Sequence, residues 1–366
     1  MNDCIRRTLL AAAMCAVLAA TARAGDVCDT AAAGETGNGS TATGTNAIAC
    51  GRNNNASGDD STAIGVDSAA SAQFAVAVGN EAVASGYKSS VFGVDSQALG
   101  SLSTAIGHLN TSTGSNSLTI GYANDSTADY SSAVGMINIA SGEASNAFGA
   151  SNRATAERSS AFGYANTSSG EASVALGGQT TAAGIASLTL GNRDTVSAAQ
   201  NNSPDTMAIG DYSGAIGWAT HAVGGRSMAM GVRTASVGAS SIAFGTWLDR
   251  DGDGQITLDV DAVSDSLSVA DSSTETAVAQ GTSAVAMGAG VVAGGDRSTA
   301  LGVDNRAEAA DSVATGGNKQ ATADASVAMG RGNFASDLGS AAVGVGNQVA
   351  GGYASAFGND NSAMED

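Results

Sequence analysis

The stretch SLTIGYANDSTADYSSAVG, residues 117–135, holds one complete repeat of the chain and the start of the next. Its blocks SLTIG and SSAVG end on Gly121 and Gly135, so the anchor glycine recurs with a period of 14. Anchor glycines keep this spacing from Gly51 to Gly191 and again over residues 288–358. Between these runs lie an irregular stretch containing Gly210 and Gly217, a short resumption at Gly231 and Gly245, and a second interruption. A fixed short period over most of a chain indicates a solenoid.

Each unit follows one pattern around its anchor glycine. Ser usually stands four places before the anchor and a large apolar residue directly before it, a small residue five places after it, and Gly or Ala two places further on. A unit of this length suits two short strands and two tight corners, which predicts a parallel β-solenoid with coils about 4.8 Å apart. We expect Ile64, Val78 and Phe92 to form one continuous internal ladder.

The coil is small for its apolar content. Large apolar residues also stand three places before many anchors, as at Ile48, Leu118 and Val174. One slim coil is not expected to bury both ladders, and side-by-side packing of identical chains around an axis would cover them.

The repeat resembles the head repeat of trimeric autotransporter adhesins, the YadA-like head, over about residues 46–245 and 281–358. The resemblance implies an all-β, left-handed parallel β-roll that forms a homotrimer on a bacterial surface. It also implies adhesion to host matrix, cells or abiotic surfaces. We find no heptad stalk or membrane strands beside the repeats, and residues 359–366 are predicted to be a C-terminal tail. We therefore expect a truncated or split gene product, or a head released or held by another protein.

Residues 1–24 are predicted to be a secretory signal peptide, since Arg6 and Arg7 precede an apolar run and an Ala-x-Ala site. The signal peptide predicts that the mature chain is exported. No other run is long and apolar enough to span a membrane as a helix. The net charge of −19 disfavours nucleic acid and anionic membrane as partners. Residues 25–45 would form an N-terminal cap held by a Cys28–Cys50 disulfide; the alternative is two unpaired cysteines.

An acidic insert, residues 246–280, contains a sequence that resembles an EF-hand calcium loop. Three aspartates stand at alternate places and Gly254 permits the sharp turn, but Val260 stands where a bidentate acid belongs. The alternative is an acidic loop without bound metal. The predicted calcium ligands are Asp249, Asp251, Asp253, Gln255, Thr257, Asp259 and Asp261.

No catalytic arrangement is predicted, so the chain is not expected to be an enzyme. The two histidines, His108 and His221, lie about eight coils apart, and the recurring serines follow the repeat. Large residues stand directly after several anchors and could form a stripe that contacts a ligand; the alternative is that they only fill the corners. The ligand-contact candidates are His108, Tyr122, Tyr164 and Trp218, and Met136 stands in the same position. The predicted function is multivalent adhesion. The alternative is a rigid spacer of an appendage or matrix without a specific ligand.

Overall fold

The computed structural model describes residues 26–28, 39–192, 205–246 and 276–364. The chain divides into two compact units between Ser151 and Asn152. Each unit is a parallel β-solenoid whose turns follow the period of the anchor glycines, and none of the described residues lies in an α-helix. The all-β solenoid predicted from the repeat is confirmed.

Each turn of the N-terminal unit consists of a five-residue long strand, a first corner, a two-residue short strand and a second corner. A three-residue strand, Asp26–Cys28, pairs with the first long strand. The long strands are Ile48–Arg52, Thr62–Val66, Val76–Asn80, Ser90–Val94, Thr104–His108, Leu118–Tyr122, Ser132–Met136 and Asn146–Ala150. The short strands are Thr41–Ala42, Asn55–Ala56, Ala69–Ala70, Val83–Ala84, Gln97–Ala98, Thr111–Ser112, Asp125–Ser126 and Ile139–Ala140.

The C-terminal unit repeats this plan, and in two of its turns the long and short strands merge into Thr299–Ala307 and Val313–Ala321. Its other long strands are Ser160–Tyr164, Val174–Gly178, Leu188–Asn192, Gly214–Trp218, Met228–Val232, Ile242–Thr246, Val285–Ala289, Val327–Arg331, Ala341–Val345 and Ser355–Asn359. Its short strands are Arg153–Ala154, Thr167–Ser168, Thr180–Ala182, Thr206–Ala208, His221–Ala222, Ala235–Ser236, Val278–Ala279, Val292–Ala293, Phe334–Ala335, Gln348–Ala350 and Ser362–Met364.

The anchor glycines stack in register, as Gly107, Gly121 and Gly135 do in consecutive turns. Gly121 has a φ of +120°, and a Cβ added there would lie 2.0 Å from the carbonyl oxygen of Gly135. Both the left-handed backbone and the close approach of the next turn therefore require glycine. This double requirement explains why the anchor is the most regular feature of the sequence.

The two interruptions of the period leave the register of the coils unchanged. Gly191 pairs with Gly217 and Gly245 with Gly288, so each interruption adds residues between two turns that remain neighbours. Gly210 is not an anchor, because its backbone lies against Gly184 in a separate column of corner glycines. The regular coil also extends beyond the predicted boundaries, since Val278–Ala279 and Ser362–Met364 are paired strands.

Small side chains fill the coil, and the predicted internal ladder of large apolar residues is wrong. Ala63 and Ala77 are fully buried, whereas Ile64 is 38% exposed and Phe92 is 45% exposed. Successive residues of a strand point to opposite faces, so the alanine two places before the anchor points inward and the large residue that follows this alanine points outward. A ring this small has room inside for alanine, serine and asparagine, but not for a column of isoleucine or phenylalanine.

Candidate interaction surfaces

The outer face of the long strands carries an apolar stripe, which we call the outer stripe. It consists of the large apolar residues one place before the anchors, joined in some turns by an apolar residue three places before the anchor, as at Leu118 and Val174. In the N-terminal unit, Ile64, Val78 and Phe92 are in register in consecutive turns, and Ile106 and Ile120 continue the column. The C-terminal unit has the same column, formed by Leu176, Leu190, Ile216, Met230, Phe244, Met287 and Leu301. A continuous, half-exposed apolar surface of this kind is typical of an interaction site.

Inside the coil, a column of buried asparagines supports the anchor glycines. The side-chain amide of Asn124 donates hydrogen bonds to the carbonyl oxygens of Ile120, 3.0 Å away, and Gly135, 2.8 Å away. Its Oδ1 accepts a hydrogen bond from the backbone N–H of Asn138 at 3.0 Å. This column was missed in the sequence, although asparagine recurs three places after the anchors, as at Asn110, Asn124 and Asn138. Its role is structural, because it satisfies buried backbone carbonyls.

The first corner, one and two places after the anchor, holds the predicted ligand-contact residues. His108, Tyr122 and Met136 lie in register in three consecutive turns, and the rings of His108 and Tyr122 meet edge to face at 5.4 Å. In the C-terminal unit, Tyr164 and Trp218 are also exposed, but Gly178 and Asn192 stand between them in the column. The structure thus brings His108 and Tyr122 together, while Tyr164 and Trp218 each stand apart.

The second corner, five and six places before the anchor, carries an aromatic cluster that the sequence analysis missed. Phe74 and Tyr87 meet edge to face with their ring centroids 6.0 Å apart. The Lys88 ammonium lies 5.5 Å from the Phe74 ring and 5.2 Å from the Tyr87 ring. The residues occupy adjacent turns but differ by 13 in number, one less than the period, so the repeat does not align them. The lysine already occupies the faces that the rings offer to a cation.

Three basic residues are buried among the described residues of the C-terminal unit: His221, Arg233 and Lys319. His221 has Nε2 2.9 Å from the carbonyl oxygen of Asp205, and burial lowers the pKa of its imidazole. Lys319 replaces asparagine in the buried polar column, and its Nζ donates a hydrogen bond to the Gly317 carbonyl at 2.6 Å. Burial, together with the charge of Arg331, lowers the pKa of Lys319 to about 8. Neither contact pairs the base with a nucleophile or a carboxylate.

The predicted disulfide, calcium loop and signal peptide involve residues that the structure describes only in part. Cys50 is disulfide-bonded, and the backbone of Cys28 is its partner in the parallel pairing of Asp26–Cys28 with Ile48–Arg52. The predicted calcium ligands between residues 249 and 261 lie outside the described residues, as does the predicted signal peptide. Among the residues that are described, no group of three or more acidic, histidine or cysteine side chains is placed to hold a metal ion. No helix in that part of the chain has the length and hydropathy to cross a membrane.

Comparison with known proteins identifies the repeat. A family model described as the YadA head domain repeat, in two copies, matches segments that together cover just over half of the 366 residues. None of the curated proteins matches the chain. The matched segments are residues 36–54, 56–82, 84–110, 98–122, 140–166, 168–193, 222–246 and 293–318.

Proposed function

Because the chain belongs to the YadA head repeat family of surface-exposed adhesins, we propose that it acts as an adhesive head in which three copies pack their outer stripes together. The observation that carries this proposal is the register of the large apolar side chains on the outer face. Ile106, Ile120 and Val134 lie one above another without a polar residue between them. Three such stripes facing a common axis would form a core that a single coil is too narrow to hold.

The energetics favour burial of this stripe between chains. Removing a large aliphatic side chain from water contributes about 1.5–3 kcal/mol when burial is complete, and residues such as Ile64 and Ile106 are only partly covered in one chain. The same face recurs in every turn, so each additional turn adds to the contact. A trimer built along the stripe would therefore gain stability with the number of turns.

The oligomeric state tests the proposal. The purified chain should have the mass of a trimer in sedimentation equilibrium or light scattering. Ile120→Asp would place a charge in each of three stripes at one level and should shift the protein towards monomer. Tyr130→Asp adds the same charge at the second corner, outside the stripe, and should leave the trimer intact. A monomeric wild-type protein with intact β-sheet circular dichroism would overturn the proposal.

Adhesion would arise from weak contacts repeated on three chains, so that avidity exceeds the affinity of any single contact. Retention of the trimer on wells coated with extracellular matrix, and on bare polystyrene, should exceed that of the monomeric Ile120→Asp variant. A trimer that is retained on neither surface would favour the rigid-spacer function over adhesion. Export to the cell surface fits the family of surface-exposed adhesins.

We further propose that the acidic insert binds calcium. The support is the sequence pattern alone: three aspartates at alternate places followed by glycine, which suits a hard cation with oxygen ligands. Val260 at the last ligand position implies weaker binding than in a complete EF-hand loop.

A further inference from the structure

We propose that the first corner of the N-terminal unit is a docking surface for an extended protein segment that is both basic and apolar. This inference rests on the adhesive function proposed above and names the chemistry of one partner. The surface has two halves, an apolar patch and a column of carboxylates, which follow one another along the same corner.

The apolar half, which we call the corner patch, consists of His108, Leu109, Tyr122, Met136 and Ile137. Tyr122 is 44% exposed, Met136 47% and Ile137 48%. The patch spans three consecutive turns, and the backbone amide of Ile137 donates a hydrogen bond to the Tyr122 carbonyl at 2.9 Å, which fixes the spacing of neighbouring turns. Clusters of exposed aromatic, Met and aliphatic side chains on a rigid scaffold are typical of the centre of a protein interface.

The residue two places after the anchor has a left-handed backbone in every described turn, so the coil imposes this conformation on the corner patch as well. Leu109 and Ile137 have φ values of 58° and 56°. Asparagine, aspartate or glycine, which tolerate this conformation, stand at many of the equivalent positions, although Glu81, Ala123 and Arg233 also adopt it; Ile137 is the β-branched member of the column. A β-branched residue in this conformation is rare, and such strain clusters at binding sites. Isoleucine at position 137 is therefore unfavourable for the backbone. Its exposed side chain is available to contact a partner, which accounts for its presence at this corner.

The acidic half consists of Asp67, Glu81 and Asp95, at the same corner position in three consecutive turns. The two ends are paired: Arg52 lies 3.7 Å from Asp67, and His108 lies 3.5 Å from Asp95. Glu81 stands in the middle, where a hydrogen bond with Asp95 and the negative charges of Asp95 and Asp67 raise the pKa of its carboxyl. A cationic group placed here would relieve the repulsion among the three carboxylates.

Charge complementarity selects the partner. The corner column runs from the carboxylates at Asp67, Glu81 and Asp95 into Leu109, Ala123 and Ile137 in the next three turns. A segment laid along it therefore meets negative charge first and apolar surface next. Lysine or arginine side chains would contact the carboxylates while aromatic or aliphatic side chains cover the corner patch. A second copy of this acidic chain, or a nucleic acid, lacks the positive charge that the first half selects.

The test uses the full chain and three fluorescent peptides of tandem triplets: Lys-Phe-Ser, Lys-Ser-Ser and Glu-Phe-Ser. Fluorescence anisotropy should show binding of the Lys-Phe-Ser peptide, with the other two at least about tenfold weaker, the effect of losing one interface hot spot. Glu81→Gln and Ile137→Asn should each weaken Lys-Phe-Ser binding several-fold. Tyr130→Ser, which removes an exposed aromatic ring from the second corner, should leave the binding unchanged.

Ile137→Asn separates a binding role from a structural one. Asparagine tolerates the left-handed backbone better than isoleucine, so the variant should melt at the same or a higher temperature while binding the peptide more weakly. Equal affinity for the Lys-Phe-Ser and Lys-Ser-Ser peptides would reduce the effect to attraction by an acidic chain and overturn the inference. Loss of the trimer in Ile137→Asn would also overturn it, because the corner patch would then be a subunit contact. A trimer that adheres to coated wells but binds none of the peptides would refute the docking surface alone.

Discussion

Replacing Lys319 by asparagine is expected to stabilise the turns around it. Lys319 is fully buried in a column that asparagine occupies one turn earlier, at Asn305, and one turn later, at Asn333. Asn305 donates a hydrogen bond from its side-chain amide to the anchor carbonyl of Gly316 at 2.9 Å. An asparagine at position 319 should make the equivalent bond to Gly330, and it would remove a buried charge at the same time.

The magnitude follows from the pKa. Burial first, and the charge of Arg331 second, lower the pKa of Lys319 from its ordinary value of 10.5 to about 8. At 1.36 kcal/mol for each pKa unit, holding the protonated amine in the folded coil costs about 3 kcal/mol. Below pH 8 both the folded and the unfolded chain carry the proton, so the whole cost is present. Between about pH 8 and 10.5 the folded chain loses the proton first, and the wild-type free energy of unfolding rises with pH.

The Lys319→Asn variant should therefore be more stable than the wild type at pH 7, by up to about 3 kcal/mol, and its advantage should shrink as the pH approaches 10. Because turns of a solenoid open locally, the measurement is amide hydrogen exchange of the segment 299–335 at several pH values, corrected for intrinsic exchange rates. Lys88 is the only other lysine and is exposed. Lys88→Asn is the matched control, with no expected change in that segment.

The titration itself can be followed by NMR on protein with 13C-labelled lysine, which should give one signal from each lysine. The Lys319 signal should titrate near pH 8. If the Lys319 signal titrates near the ordinary lysine value of 10.5, Lys319 is not held away from water as the structure shows. If Lys319→Asn exchanges faster than the wild type at pH 7, the asparagine column does not stabilise the coil at this position.

Three further predictions test the fold, the outer stripe and the insert. Gly135→Ala should destabilise its turn by at least about 3 kcal/mol, since the added Cβ would lie 2.0 Å from a carbonyl oxygen at a positive φ, whereas Gly214→Ala, with no atom within 4 Å of the added Cβ, should be tolerated; thermal melting compares the two. Ile120→Asp should dissociate subunits but preserve β-sheet circular dichroism, while Thr119→Asp, at a fully buried position, should weaken that signal by disrupting the turns around it; if Ile120→Asp weakens the signal as much, the outward assignment fails. Calcium should protect residues 246–280 from protease and release heat on titration, and Asp251→Ala should abolish both effects; equal cleavage with calcium and with chelator would leave the insert an acidic loop.

Part of the candidate surface was predictable, because a strict period aligns equivalent residues. His108 and Tyr122 differ by 14 in number, so their contact follows from the repeat. Phe74 and Tyr87 differ by 13, so they occupy different positions of the repeat. Their contact depends on the orientation of two side chains in neighbouring turns, which the period alone does not give. The acidic column at Glu81 was overlooked for another reason: its members occur once per turn and do not look like a charge cluster along the chain.

The sequence by itself determined the turn length, the parallel pairing of the turns and the need for glycine at the anchor, since a period of 14 leaves one register for every strand. Only the tertiary structure decided which face of the strand points inward. Hydrophobicity favours Ile120 inside and Thr119 outside, yet Thr119 is fully buried and Ile120 lies on the outer face. The physical reason is the small volume inside the coil, which holds only a column of small side chains. Because successive strand residues point to opposite faces, the large apolar residue next to each inward alanine or threonine lies on the outer face.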